Sequence, residues 1–227
     1  MNYLAHALDC LDDPYQVAGR AVPDWLCLSR PRLRCRSRHA QPHLGSPCPV
    51  TRAVAHGVMR HHADDDWFHH TPAFGDVSLE LARRVRQATG DADGMRPGFV
   101  GHVMLEMLLD ATIVADEPQL VDRYYAALAA VDPRQVARTV SLIIAGDAVQ
   151  LEHIVTRFVE LEFLYDYAHD ELLLYRLNQV MRRVRLPELA PNFVDILPHA
   201  RLLVAEARAA LLRNPSRRAT EKLALAS

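Results

Sequence analysis

Residues able to hold a metal or move a proton recur at one spacing in two stretches of the chain. In GFVGHVMLEMLLDATIVA (98–115), His102, Glu106 and Asp110 stand four residues apart among side chains that are otherwise almost all apolar. On a helix they line one narrow polar stripe along a buried rod. A carboxylate in that setting is costly unless it is paired, hydrogen-bonded or coordinated. The stripe therefore predicts a metal or acid–base site, or else arginines on a neighbouring helix. In TRAVAHGVMRHHADDDWFHH (51–70), Val54, Val58 and Phe68 mark an apolar face, with His61 and Asp65 in its middle and His69 at its edge. His62, Asp66 and His70 form a parallel stripe further round, toward solvent. Imidazole with carboxylate suits Zn, Mn or Fe, and facing helices of a bundle can supply both. The pattern predicts that the two helices are neighbours and share one centre, with the ring nitrogens of His61 and His102 within ~10 Å of each other.

The elements that must position these groups are helical. Periodicity near three and a half residues dominates, strand alternation is nearly absent, and helices are expected at 2–11, 14–28, 51–70, 72–89, 97–115, 118–129, 133–145, 147–169, 170–184 and 198–213. The expected fold class is all-α: a single-domain helical bundle over residues 1–213, with a frayed tail over 214–227. The stretch least like a helix is 29–50, SRPRLRCRSRHAQPHLGSPCPV, with four prolines. No acidic residue lies between Trp25 and Ala63, and Arg30, Arg32, Arg34, Arg36, Arg38, Arg52 and Arg60 fall in that span. A loop of this length is commonly functional or disordered. Its two readings are a solvated basic segment and a landing site for an anionic substrate beside the metal helix.

Composition narrows the partners. With 227 residues, half of them hydrophobic, the chain can bury a sizeable core. A formal net charge of −2 argues against a nucleic-acid binder. No membrane association is expected either, because the 98–115 run is cut by its three ionisable groups. Cys10, Cys27, Cys35 and Cys48 form no C-x-x-C pair, and the N-terminal stretch lacks the basic region and apolar run of a signal peptide. Reduced thiols in a cytoplasm are the simplest expectation.

Four segments carry a resemblance. MNYLAHA (1–7), GRAVPDWL (19–26), the G-x-x-x-H-x-x-x-D run from Gly57 to Asp65, and LNQVMRRVRLPEL (177–189) resemble, in order and rough spacing, the acyl-carrier-protein phosphodiesterase family. The resemblance implies an all-helical fold related to the HD-domain phosphohydrolases. It implies hydrolysis of the phosphodiester that joins phosphopantetheine to a carrier-protein serine, with a divalent metal such as manganese. Carried over by position, His6, Asp24, His61 and Asp65 match the family pattern. His102 stands where the family has Asp, Glu106 at its second Asp, Met107 in place of the adjacent His, and His62 in place of an Arg.

The leading expectation is thus a metal-dependent phosphoester hydrolase. His6, Asp24, His61, Asp65, His102 and Glu106 would hold one or two divalent ions of Mn, Fe or Zn, with Asp110 and His62 supporting them from behind. Asp24 or His69 would accept the proton, and Arg20, Arg60 and the loop residues Arg34, Arg36 and Arg38 would neutralise phosphate charge. The partner would be an anionic phosphoester, with an acidic carrier protein as one form of it. A second reading is a non-catalytic helical protein, descended from such hydrolases, that binds a metal or an acidic partner. A third, an oxygen-using di-iron bundle, lacks the Glu-x-x-His spacing such sites use.

Overall fold

The computed structural model describes residues 1–90 and 93–213; the expected frayed tail, 214–227, lies outside the described residues. Among those described there are helices and no strand. In chain order they are α1 (Tyr3–Ala7), α2 (Pro14–Leu26), α3 (Ser37–Ala40), α4 (Pro49–His69), α5 (Pro72–Thr89), α6 (Pro97–Asp116), α7 (Pro118–Ala129), α8 (Pro133–Ile144), α9 (Gln150–Leu161), α10 (Asp170–Val184) and α11 (Leu197–Leu212). Short 3-10 turns occupy Gln41–His43, Tyr165–Ala168 and Pro191–Ile196. The helices divide between two compact units. One takes Met1, Tyr3–Asp66 and Gln119–Phe163; the other takes Asn2, Trp67–Pro118 and the described residues from Leu164 onward.

In the first unit, α8 packs on α9, and α2 packs on α1, α8 and α9. Trp25, wholly buried, meets Phe158 edge-on at 5.3 Å, and Phe158 also gathers Tyr3, Tyr124, Tyr125 and Phe163. The backbones of α2 and α4 also come close together. A Cβ on Gly19 would lie 2.4 Å from the Val54 carbonyl oxygen, and one on Gly57 would lie 2.4 Å from that of Gln16. Both glycines belong to the segments that carry the family resemblance, and their role here is to let two backbones touch.

In the second unit, α6 packs chiefly on α5, with α11 against both. Gly101 permits this pairing, since a Cβ there would sit 2.8 Å from the Ala82 nitrogen. Met104, Leu105, Leu108, Leu109 and Ile113 of α6 have no solvent exposure, and each fully buried leucine contributes about 2 kcal/mol relative to exposure. By length and composition α6 is apolar enough to cross a membrane, contrary to the expectation that its ionisable groups would prevent this. However, 61% of its most apolar stretch is buried within the protein, so core packing accounts for that apolarity.

Three expected elements differ. The helix of 2–11 ends at Ala7, where Cys10 N–H and Sγ–H both turn back to the Ala7 carbonyl. The helix of 147–169 runs only over Gln150–Leu161: Glu162 takes a left-handed φ of 42°, and Phe163 packs on Tyr3 and Phe158 instead of continuing the helical face. The 29–50 loop is not featureless, since it holds α3 and a 3-10 turn. His62 Nε2 fastens it to α4 at 2.8 Å from the Cys35 carbonyl oxygen.

Candidate metal centre

The sequence-predicted residues are sorted by the structure into two groupings, one in each unit. His6, His61 and Asp65 form the first and His69, His102 and Glu106 the second; within each, the candidate ligand atoms lie no more than 4.8 Å apart. Within the first unit His61 gathers with His6, and within the second His102 and Glu106 gather with His69.

In the first grouping, α4 supplies His61 and Asp65 one turn apart, and α1 supplies His6. The His6 and His61 rings stack at 4.2 Å. Asp65 faces both, its Oδ1 3.2 Å from His6 Nε2 and its Oδ2 3.4 Å from His61 Nε2. The Met1 amino group donates to Asp65 Oδ1 at 2.9 Å. Both histidines are almost wholly buried, at 1% and 3% exposure, yet neither ring nitrogen of His6 nor Nδ1 of His61 makes a hydrogen bond. Buried nitrogens without a well-aligned hydrogen-bond partner are rare in a folded interior, and these are candidate donor atoms for a metal.

Charge at this centre is finely divided. Burial works against protonation of His6, but the adjacent Asp64 and Asp65 carboxylates outweigh it and raise the imidazole above its usual value. Burial and the neighbouring His6 together hold His61 neutral, well below the usual range. For Asp65 burial opposes the charge, and His6 with the Met1 amino group outweighs it, so the carboxylate stays ionised. The three residues fit a divalent ion. Metal–ligand bonds of ~2.1 Å place two ligands of one ion at most ~4.2 Å apart, so the ligand atoms need to close by only a few tenths of an ångström. Two imidazoles and one carboxylate are a recurrent set for Zn and non-haem Fe.

A buried ionic frame surrounds this grouping, and the sequence reading missed its centre. Asp64 has no solvent exposure; its Oδ2 receives Arg20 Nη1 at 3.1 Å and its Oδ1 faces Arg60 Nε at 3.1 Å. Arg20 also pairs with Asp9 at 2.9 Å and donates to the His6 carbonyl oxygen. At 3% exposure Arg20 ties α1 to α2 and α4 through these contacts. The Arg60–Asp64 spacing of four residues was visible in the sequence; the inward turn of Asp64 between Asp65 and Ala63 was not. Arg60 is half-buried, and its Nη2 has no hydrogen-bond partner among the described residues. Asp24 lies half-buried in α2, outside both groupings. Arg34, Arg36 and Arg38 are exposed, and none is at ion-pair distance from a carboxylate among the described residues; Arg38 Nε instead donates to His39 Nε2 at 3.3 Å.

In the second grouping, Glu106 Oε1 lies 3.1 Å from His102 Nε2 and 3.3 Å from His69 Nε2. Burial opposes the Glu106 charge, but the surrounding charges and hydrogen bonds, those of His102 and His69 among them, hold it well below the usual carboxylate range. Asp110, one turn further along α6, is wholly buried, and its charge acts on the Tyr167 phenol. Burial and that charge raise the phenol above its ordinary value, although Asn2 Nδ2 donates to its oxygen at 3.4 Å. His62 supports the loop through Cys35, as described above, and lies edge-on to His61 at 5.2 Å. All four cysteines are free.

Compared with protein-family models, with curated proteins and with solved structures, the chain matches none.

Proposed function

We propose that the chain is a metal-dependent phosphodiester hydrolase, related to the acyl-carrier-protein phosphodiesterases and through them to the HD-domain phosphohydrolases, with His6, His61 and Asp65 as its metal ligands. The observation that carries this reading is the pair of buried imidazoles with orphaned nitrogens facing an ionised carboxylate. A divalent ion of Mn, Fe or Zn held there would supply Lewis-acid charge and lower the pKa of a water molecule. In the reaction the water oxygen bonds to phosphorus, the ester P–O bond breaks, and the departing alcohol oxygen ends protonated. Asp65 supplies the anionic ligand, and its second oxygen keeps the His61 ring in orientation. Asp64, fixed by two guanidinium groups, fixes His6 in turn. Arg60 would supply a guanidinium for phosphate charge, its buried Nη2 turning outward to do so, and Asp24 of the same unit would accept the proton.

The unpaired arginines of 29–50 favour an anionic substrate, an acidic carrier protein among the candidates, and the free thiols agree with a reducing compartment. Each grouping has two imidazoles to one carboxylate, the reverse of the carboxylate-rich di-iron sites. The test is turnover of an aryl phosphodiester by chelator-stripped protein reloaded with each metal, alongside Asp65→Ala. Metal-dependent turnover that the variant lacks supports the reading. Metal retention without turnover of any phosphodiester would favour the non-catalytic descendant instead.

A further inference from the structure

We propose that His69, His102 and Glu106 form a second metal site of the two-histidine, one-carboxylate type, complete within the second unit and open to a ligand from solvent. His69 is the last residue of α4, whereas His102 and Glu106 stand one turn apart on α6, so two elements aim their Nε2 atoms at one carboxylate oxygen. The two rings are 4.9 Å apart at their centroids. Phe74 of α5 packs edge-on against both, at 4.9 Å from His69 and 5.0 Å from His102, and against Phe68 at 5.0 Å. One apolar side chain thus fixes the orientation of both imidazoles, as a supporting shell must do if ligands are to be held ready.

As a purely protein arrangement the trio directs both rings at one oxygen of Glu106, which has lone pairs for both. As a chelate it has two nitrogen ligands and one anionic oxygen on one side of an ion, and the other side is left to solvent. The exposures agree. The side chains are 32%, 39% and 19% exposed for His69, His102 and Glu106, against 1% and 4% for His6 and His61. Imidazole-rich sets favour Zn, Fe or Co over Mg or Ca. Water or an anionic oxygen or nitrogen ligand would complete the coordination. His69, read from sequence as a proton acceptor, becomes a ligand in this arrangement.

This site does not depend on the hydrolase reading, and one experiment separates them. The chelator-stripped full chain is titrated with Zn2+, and with Co2+ followed by its visible absorption, in the parent, Glu106→Gln, His102→Ala and His61→Ala. Glu106→Gln keeps the side-chain shape and so guards against misfolding, checked by circular dichroism. The proposal expects Glu106→Gln and His102→Ala each to lose one equivalent that His61→Ala retains, and His61→Ala to lose a different one. If the parent binds a single equivalent that His61→Ala abolishes and Glu106→Gln keeps, the second site is refuted and the first stands. If the single equivalent follows Glu106 alone, the hydrolase centre is refuted and this one stands. No stoichiometric binding by the parent overturns both.

Discussion

Replacing Gly57 by alanine should separate α2 from α4 and, through them, loosen the His6–His61–Asp65 grouping. The new Cβ would meet the Gln16 carbonyl oxygen at 2.4 Å, the Gly19 Cα at 2.7 Å and the Arg20 nitrogen at 2.8 Å. All three are backbone atoms inside a helix, so no side chain can swing aside. Reaching ordinary contact requires α2 to retreat by roughly 1 Å, and overpacking of this kind costs ~1–3 kcal/mol. For a chain of this size each kcal/mol lowers the melting temperature by about 2–4 °C, so a fall on the order of 4–8 °C is expected at mid-range. Arg20 sits on the displaced helix and holds the His6 carbonyl, Asp9 and Asp64. The same shift should therefore weaken ion binding at the first grouping while sparing the second. Thermal melts and Zn2+ titrations of Gly57→Ala beside Gly75→Ala, whose Cβ would meet nothing within 4 Å, make the comparison. If Gly57→Ala melts with the parent and binds ions as tightly, the glycine contact does not position the centre.

Three further outcomes are expected. Arg20→Met should destabilise the chain by about 3–5 kcal/mol in urea unfolding, because it strips a partner from the buried Asp64; a change under ~1 kcal/mol would show that Arg60 suffices. In metal-stripped protein, His61 has its folded value depressed below 6.5, so the unfolded chain takes up its proton first and stability should fall as pH drops through 6.5. Asp65 and Glu106, also depressed, should add to that loss below 3.8 and 4.5 respectively, whereas the raised His6 should shed its contribution as pH rises above 6.5. Melting temperatures across this range for parent and His61→Gln should show the loss between pH 6.5 and 4.5 flattened in the variant; parallel profiles would contradict it. Finally, neutralising Arg34, Arg36 and Arg38 together should raise KM for an anionic phosphodiester at low salt and leave metal content intact, with the parent's KM also climbing as salt screens the loop; unchanged KM would make the loop a solvated segment.

The helical class was legible because periodicity repeats over long segments, and α5, α7 and α10 match their expected bounds. The reversal at Glu162 was not legible, since tertiary contacts of Phe163 outweigh the local helical pattern there. His61 with Asp65, and His102 with Glu106, could be read as pairs because a helix fixes residues four apart on one face. Which pair meets which histidine depends on where helices lie in space. Spacing therefore carried no sign that His6 joins the first pair and His69 the second, as the fold shows. Asp64 was hidden for a related reason: in a run of three aspartates, one helical step of 100° decides which carboxylate is buried. The contact to Arg20, on another helix far away in sequence, settles that step.

Whether the buried grouping is catalytic is tested by stripping the chain with chelator, restoring Mn2+ stepwise, and following hydrolysis of an aryl phosphodiester in the parent and in His61→Ala. Activity should return with the metal along a saturating curve in the parent and stay absent in the folded variant. Turnover by stripped protein, or equal recovery in His61→Ala, would show that the buried grouping is not the catalytic centre.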